Sequence, residues 1–124
     1  MDKVNHSKSE EFKKRLYQFV LRLIRFTDSL PDNRTTRVIG TQLIRSGTSI
    51  LGNYIEGKSA SSRKDYINFF NHSLKSANES KVWIALLRDV GYSKNTEPEW
   101  LLSELNEISR IFASSILTLK GKRK

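Results

Sequence analysis

The sequence predicts an all-α fold, an antiparallel up-down-up-down four-helix bundle. Three observations predict it. Apolar residues recur at steps of three and four in four separate segments, the spacing that lines one face of a helix. The breaks between segments are short and carry proline, glycine or capping residues, so successive helices must run antiparallel. No segment alternates apolar and polar residues as a half-buried strand does.

Residues 1–8, with Lys3, His6 and Lys8, read as a flexible N-terminal arm, and the bundle is expected over 9–120. Ser7 and Glu10 have capping-box spacing, which starts the first helix at 9–30. Along it Phe12, Leu16, Phe19, Leu23, Phe26 and Leu30 form a sustained stripe, widened by Tyr17, Val20, Leu21 and Ile24. A helix this apolar packs against more than one neighbour. Its opposite face carries Lys14, Arg15, Gln18, Arg22 and Arg25. Pro31 ends it, since proline disfavours helix at the residue before it. Asp32 or Asn33 then caps a second helix over 33–56, with Gly57 as its C-terminal stop.

The run GKSASS at 57–62 is small and polar, a loop. Ser62 with Asp65 opens a third helix over 62–91, striped by Tyr66, Phe70, Ser73, Ala77, Ser80, Ile84 and Leu87. Gly91 and the polar residues after it end that helix. Thr96, Pro98 and Glu99 then signal a fourth helix over 97–120, with Leu101, Leu105, Ile108, Phe112, Ser115 and Leu119 on one face. Residues 121–124 close the chain as a basic tail.

The second helix contains the most unusual stretch, QLIRSGTSILGNYIEG at 42–57. Gln42, Arg45, Ser49, Asn53 and Glu56 share one face and are expected to form an inward polar seam, with Val38, Ile44, Thr48, Leu51 and Ile55 on an adjoining face. A glycine inside a helix costs about 1 kcal/mol relative to alanine. Gly40, Gly47 and Gly52 therefore suggest a closely packed second backbone, expected at the small middle of the third helix, Ser73, Ala77 and Ser80. Glu79 on that helix is the expected partner of Arg45.

The 124 residues suit one domain with a single core. Hydrophobic residues at 37% and charged residues at 28% are ordinary for a globular protein. The chain has no cysteine, which excludes disulfides and thiolate metal sites. No signal peptide is read at the N-terminus, and apolar runs are too short and too often broken by charge for a membrane span, so a cytoplasmic location is expected. The net charge of +9, from 22 Lys and Arg against 13 Asp and Glu, points to a polyanionic partner.

No catalytic constellation emerges, and neither an enzyme nor a cofactor is expected. The two histidines, His6 and His72, lack the Glu-x-x-His spacing of a bundle metal site, so no metal is expected. Glu56 and Glu79 would make an acid/base pair, but Arg45 gives an inward carboxylate a structural partner. Phosphate-cradling glycine loops are missing. The expected contacts with nucleic acid or a partner are instead Arg15, Arg22, Arg25, Arg34, Arg37, Lys58, Arg63 and Lys64, binding by charge and shape. Trp83, Trp100 and Tyr92 are expected in the core rather than stacked on bases.

The run QLIRSGTSILGNYIEG, the Arg-Lys-Asp-Tyr start of the third helix and the Ser76–Glu79 segment resemble the four-helix-bundle proteins encoded in 23S ribosomal RNA intervening sequences. The resemblance spans about Phe12 to Leu119, with Arg45, Ser49, Asn53, Glu56, Gly57 and Glu79 its most specific part. The RSGTSI-x-x-NY pattern is similar to that of the accessory variability proteins of diversity-generating retroelements. The resemblance implies a homopentameric ring. In the retroelement branch it also implies contact with a reverse transcriptase and its template RNA, which makes RNA the favoured nucleic acid. The competing expectation is a structural or protein-interaction oligomer of the intervening-sequence type that binds no nucleic acid.

Overall fold

The computed structural model describes residues 3–121, with side chains from residue 8 onward. Four helices follow one another: α1 (Lys3–Asp28), α2 (Arg34–Lys58), α3 (Arg63–Val90) and α4 (Glu97–Leu119). They form a four-helix bundle in which α2 packs on α1 and α3, and α4 packs on α3 and α1. No strand occurs among the described residues.

The termini of the helices differ from the sequence expectation in instructive ways. Helix α1 begins at Lys3, so residues 3–8, expected as an arm, have helical backbone. That stretch holds no proline or glycine, and extending a helix is easier than nucleating one. Residues 1–2 of the expected arm and residues 122–124 of the expected basic tail lie outside the described residues. Helix α2 is capped by Asn33, whose side chain accepts the Thr36 N–H while the Thr36 hydroxyl accepts the Asn33 N–H. It does not stop at Gly57 but runs to Lys58, and Ser59 caps it. Gly57 serves packing instead: a Cβ there would lie 3.0 Å from a Phe70 ring carbon and 3.1 Å from the Phe69 Cβ. The Ser62 hydroxyl accepts the Asp65 N–H at 3.1 Å and opens α3, and Gly91 closes it at φ 93°, a left-handed conformation suited to glycine. Thr96 makes no side-chain cap; the Asn95 carboxamide oxygen accepts the Glu97 N–H at 2.9 Å in its place.

The core has a bulky end and a small middle. Phe12, Tyr54, Phe70 and Phe112 pack ring to ring, with centroids 5.2 to 6.1 Å apart. Such aromatic contacts add about 0.5–1.5 kcal/mol each beyond burial. Midway along, the Ser46 and Ser80 hydroxyls meet at 2.7 Å between α2 and α3, and the Ser73 hydroxyl donates to the Ile50 carbonyl at 2.9 Å. The small residues of α3 thus do face α2.

The expected inward face of α2 is corrected. Its buried residues are Thr36, Gly40, Leu43, Ser46, Gly47, Ile50, Tyr54 and Gly57. The seam Gln42, Arg45, Ser49, Asn53 and Glu56 lies on the flank toward α3, with Arg45 and Glu56 exposed. The apolar set expected beside it is split: Val38 is 57% and Ile55 40% exposed, whereas Ile44 and Leu51 are half-buried against the core. Gly47 opposes Leu23 of α1 rather than α3, its notional Cβ falling 2.9 Å from a Leu23 methyl, while Gly40 and Gly52 oppose nothing within 4 Å.

Candidate nucleic-acid interface

The eight cations expected to contact nucleic acid separate into three places. Arg15 and Arg22 project from α1 toward α4 and are engaged there. Arg15 donates two hydrogen bonds to the Glu104 carboxylate, both 2.8 Å. Arg22 donates to both Glu97 oxygens at 2.6 and 3.0 Å, with its guanidinium 3.5 Å above the Trp100 ring. Fork-to-fork pairing of this kind is the strongest geometry open to arginine. The hydrogen bond to Glu104 raises the Arg15 pKa above its ordinary value, and that to Glu97 does the same for Arg22. In return, the Arg22 hydrogen bond holds Glu97 below the ordinary carboxylate range. These two arginines fasten α1 to α4. The face expected to hold phosphates is thereby partly neutralised.

Arg34 and Arg37 open α2 at one end of the bundle, where the chain turns out of α1. Arg37 pairs with Asp32 at 2.7 Å, both exposed. Arg34, and Arg25 near the end of α1, are exposed with no carboxylate within 4 Å among the described residues. Lys58, Arg63 and Lys64 meet at the opposite end. Lys58 donates to the Tyr66 hydroxyl at 2.9 Å. Arg63 and Lys64 line an open cleft with Lys120, Asn68 and two apolar side chains. No ion pair ties down Lys58, Arg63, Lys64 or Lys120 among the described residues.

On the α2–α3 flank, Arg45 lies 3.9 Å from Glu79 and donates to the Gln42 side chain at 3.3 Å. Glu79 also accepts the Trp83 indole N–H at 3.2 Å, and the Asn53 amide donates to the Ser49 carbonyl at 2.9 Å. Gln42, Arg45 and Glu79 are joined, and Ser49 and Asn53 form a separate pair, both at the surface. Trp83 and Tyr92 are half-buried against the core, and Trp100 is 38% exposed beneath Arg22. His72 is exposed, and among the described residues no group of three or more His, Asp or Glu side chains has metal-binding geometry.

Sequence reading passed over the groove between α3 and α4. Lys81, Arg110, Asn78 and Asn106 line a cleft there with Ser109. The available signal was a stripe on α3, from Lys64 through Lys75 to Lys81, that contains no carboxylate.

A family model for the 23S rRNA-intervening sequence protein matches residues 8–114, nearly the whole bundle. The chain belongs to that family. Among solved structures, it is similar to a protein of unknown function from the S23 ribosomal protein family of Bacteroides thetaiotaomicron VPI-5482. The two are 34% identical, with 84% of this chain and 96% of that chain covered and a TM-score of 0.78. No curated protein matches the chain. The 23S rRNA-intervening sequence match takes in all of α2 and α3, including the surface network around Arg45 and Glu79. No helix among the described residues is long and apolar enough to cross a membrane.

Proposed function

We propose that this 23S rRNA-intervening sequence protein is a non-catalytic, homo-oligomeric accessory protein of the cytoplasm that binds nucleic acid, with RNA as its preferred form. The observation that carries the reading is the end bearing Lys58, Arg63, Lys64 and Lys120, none of them in an ion pair among the described residues although Glu10 shares a cleft with Lys58, in a chain of net charge +9. Surplus like charge costs self-repulsion, and a polyanion relieves it while releasing counterions. Lys58, Arg63 and Lys64 are the central contacts, whereas Arg25 and Arg34 add to the field at longer range. Arg15, Arg22 and Arg37 contribute less than the sequence implies, because carboxylates already hold them.

The oligomer we favour is a pentamer. Its support is the family resemblance, together with Val82, Leu86 and Val90, which stand exposed in one stripe along α3. Apolar residues in such a stripe suit a contact between copies. A reverse transcriptase is the protein partner this reading favours, resting on the RSGTSI-x-x-NY pattern alone. A reverse-transcriptase gene and template repeat beside this gene support that branch, whereas a position inside a 23S rRNA gene supports the other.

Fluorescence anisotropy with matched RNA and DNA oligonucleotides tests the central claim. The reading expects RNA to bind, and more tightly than DNA. Failure of both to bind at low salt overturns it in favour of a purely protein-interacting oligomer.

A further inference from the structure

The cation-bearing end continues into a groove that neither the family nor the sequence reading assigns. On α3, Lys64, Asn68, Asn71, Lys75, Asn78 and Lys81 step by three and four, so they share one side of the helix. At 1.5 Å per residue this stripe runs about 25 Å. Its two ends line clefts against α4: Arg63, Lys64 and Asn68 face Lys120, and Asn78 and Lys81 face Asn106, Ser109 and Arg110. Asn71 and Lys75 are exposed between them. Every polar side chain in both clefts is a cation, a carboxamide or a hydroxyl; no carboxylate lines either one.

The inner cleft, about 380 Å³, has two further features. Ser109 is only 9% exposed, and its hydroxyl is buried with no hydrogen-bond partner. A serine facing inward on a helix normally satisfies itself on a carbonyl of the preceding turn; this one sits unpaired just beneath the cleft floor. Burial, and then the nearby Arg110, lower the pKa of Lys81, whose ammonium shares the cleft with the Arg110 guanidinium. Arg110 does pair with Glu107 at 2.8 Å, but Glu107 lies outside the cleft lining and Lys81 has no carboxylate partner among the described residues.

We infer that the α3–α4 groove is the track for the backbone of an unpaired RNA strand, entering at Lys64 and Lys120 and passing along Lys81 and Arg110. The assignment rests on the nucleic-acid reading above and gives that reading its path. Cations spaced along a groove follow successive phosphates. The interleaved carboxamides both donate and accept, which suits ribose hydroxyls and the exposed edges of unpaired bases. A duplex keeps the pairing edges of its bases engaged with one another, which leaves the carboxamides its 2′-hydroxyls but not those edges.

The test is binding of a fluorescein-labelled single-stranded RNA, and of the same RNA as a duplex, to the intact protein and two variants. Lys81→Gln with Arg110→Gln removes the two cations of the inner cleft; Asn78→Asp with Asn106→Asp, isosteric changes that spare packing, places negative charge in their midst. Circular dichroism checks that both remain folded. Either variant is expected to weaken single-strand binding about tenfold or more, and the first to make the salt slope shallower by about 1.4, the share of two phosphates on a single strand. Lys94→Gln, an exposed lysine of the α3–α4 connection at the far end, is expected to leave affinity within about twofold. Wild-type binding that both groove variants retain, or that favours the duplex, overturns the groove while leaving the nucleic-acid reading intact. Absence of wild-type binding overturns both.

Discussion

A methyl group added at Gly52 meets nothing within 4 Å, whereas one added at Gly57 presses on Phe69 and Phe70. Both glycines are helical, so alanine recovers the same backbone propensity at each, about 1 kcal/mol. Gly52→Ala should therefore raise unfolding stability by about 0.5–1 kcal/mol in urea titrations. Gly57→Ala should lower it by about 1–3 kcal/mol, since the overpacked contact includes a Cβ that cannot swing aside. At the α1–α4 seam, Arg22 keeps Glu97 below its ordinary pKa of 4.5. The folded state thus binds that proton less readily than the unfolded chain. The stability from the pair is present above about pH 5 and is lost as the pH falls through the lowered value. Glu97→Gln should cost about 0.5–1 kcal/mol at neutral pH, the size of a well-formed surface pair, and the difference from wild type should close in acid. A gap that stays constant down to pH 3 would count against the pair.

At the scale of the helices, their number, order and antiparallel connection were legible in the sequence because apolar stripes and caps repeat each other's message. The rotation of α2 was not. Val38 and Ile55 on its outer side, with Ile44 and Leu51 at the core margin, mimic a core stripe, while its true inner side is filled by Gly40, Ser46, Gly47 and Gly57 beside a few large residues. Periodicity weighs side chains by hydrophobicity and cannot see that Leu23 and Phe70, from other helices, fill the space those small residues leave. The Arg15 and Arg22 contacts were hidden for a similar reason: their carboxylates lie 89 and 75 residues away in sequence. Arg45 and Glu79 could be matched because a single antiparallel connection brings them level. The Ser46–Ser80 contact gives this account a test. Removing both hydroxyls with alanine should be nearly neutral, within about 1 kcal/mol, because both donors disappear together. Ser80→Leu should cost about 1–3 kcal/mol by forcing α2 and α3 apart, read from the thermal midpoint.

For the whole molecule, two surface features bear on assembly and binding. The α3–α4 side and the end bearing Lys58 are cationic, while Val82, Leu86 and Val90 present a stripe suited to another copy. Light scattering should find a particle of five times the 14.3 kDa chain mass, and Leu86→Glu should shift it toward the single chain without loss of helicity. A wild-type particle of one chain mass would remove the ring. Nucleic-acid binding is the claim on which the rest of the function depends, and its salt dependence reads it most directly. Titrating a single-stranded RNA from about 50 to about 200 mM salt should give a slope of log affinity on log salt of about −3 or steeper, the mark of four or more phosphates neutralised at once. A flat slope, or no binding at the lowest salt, would contradict it.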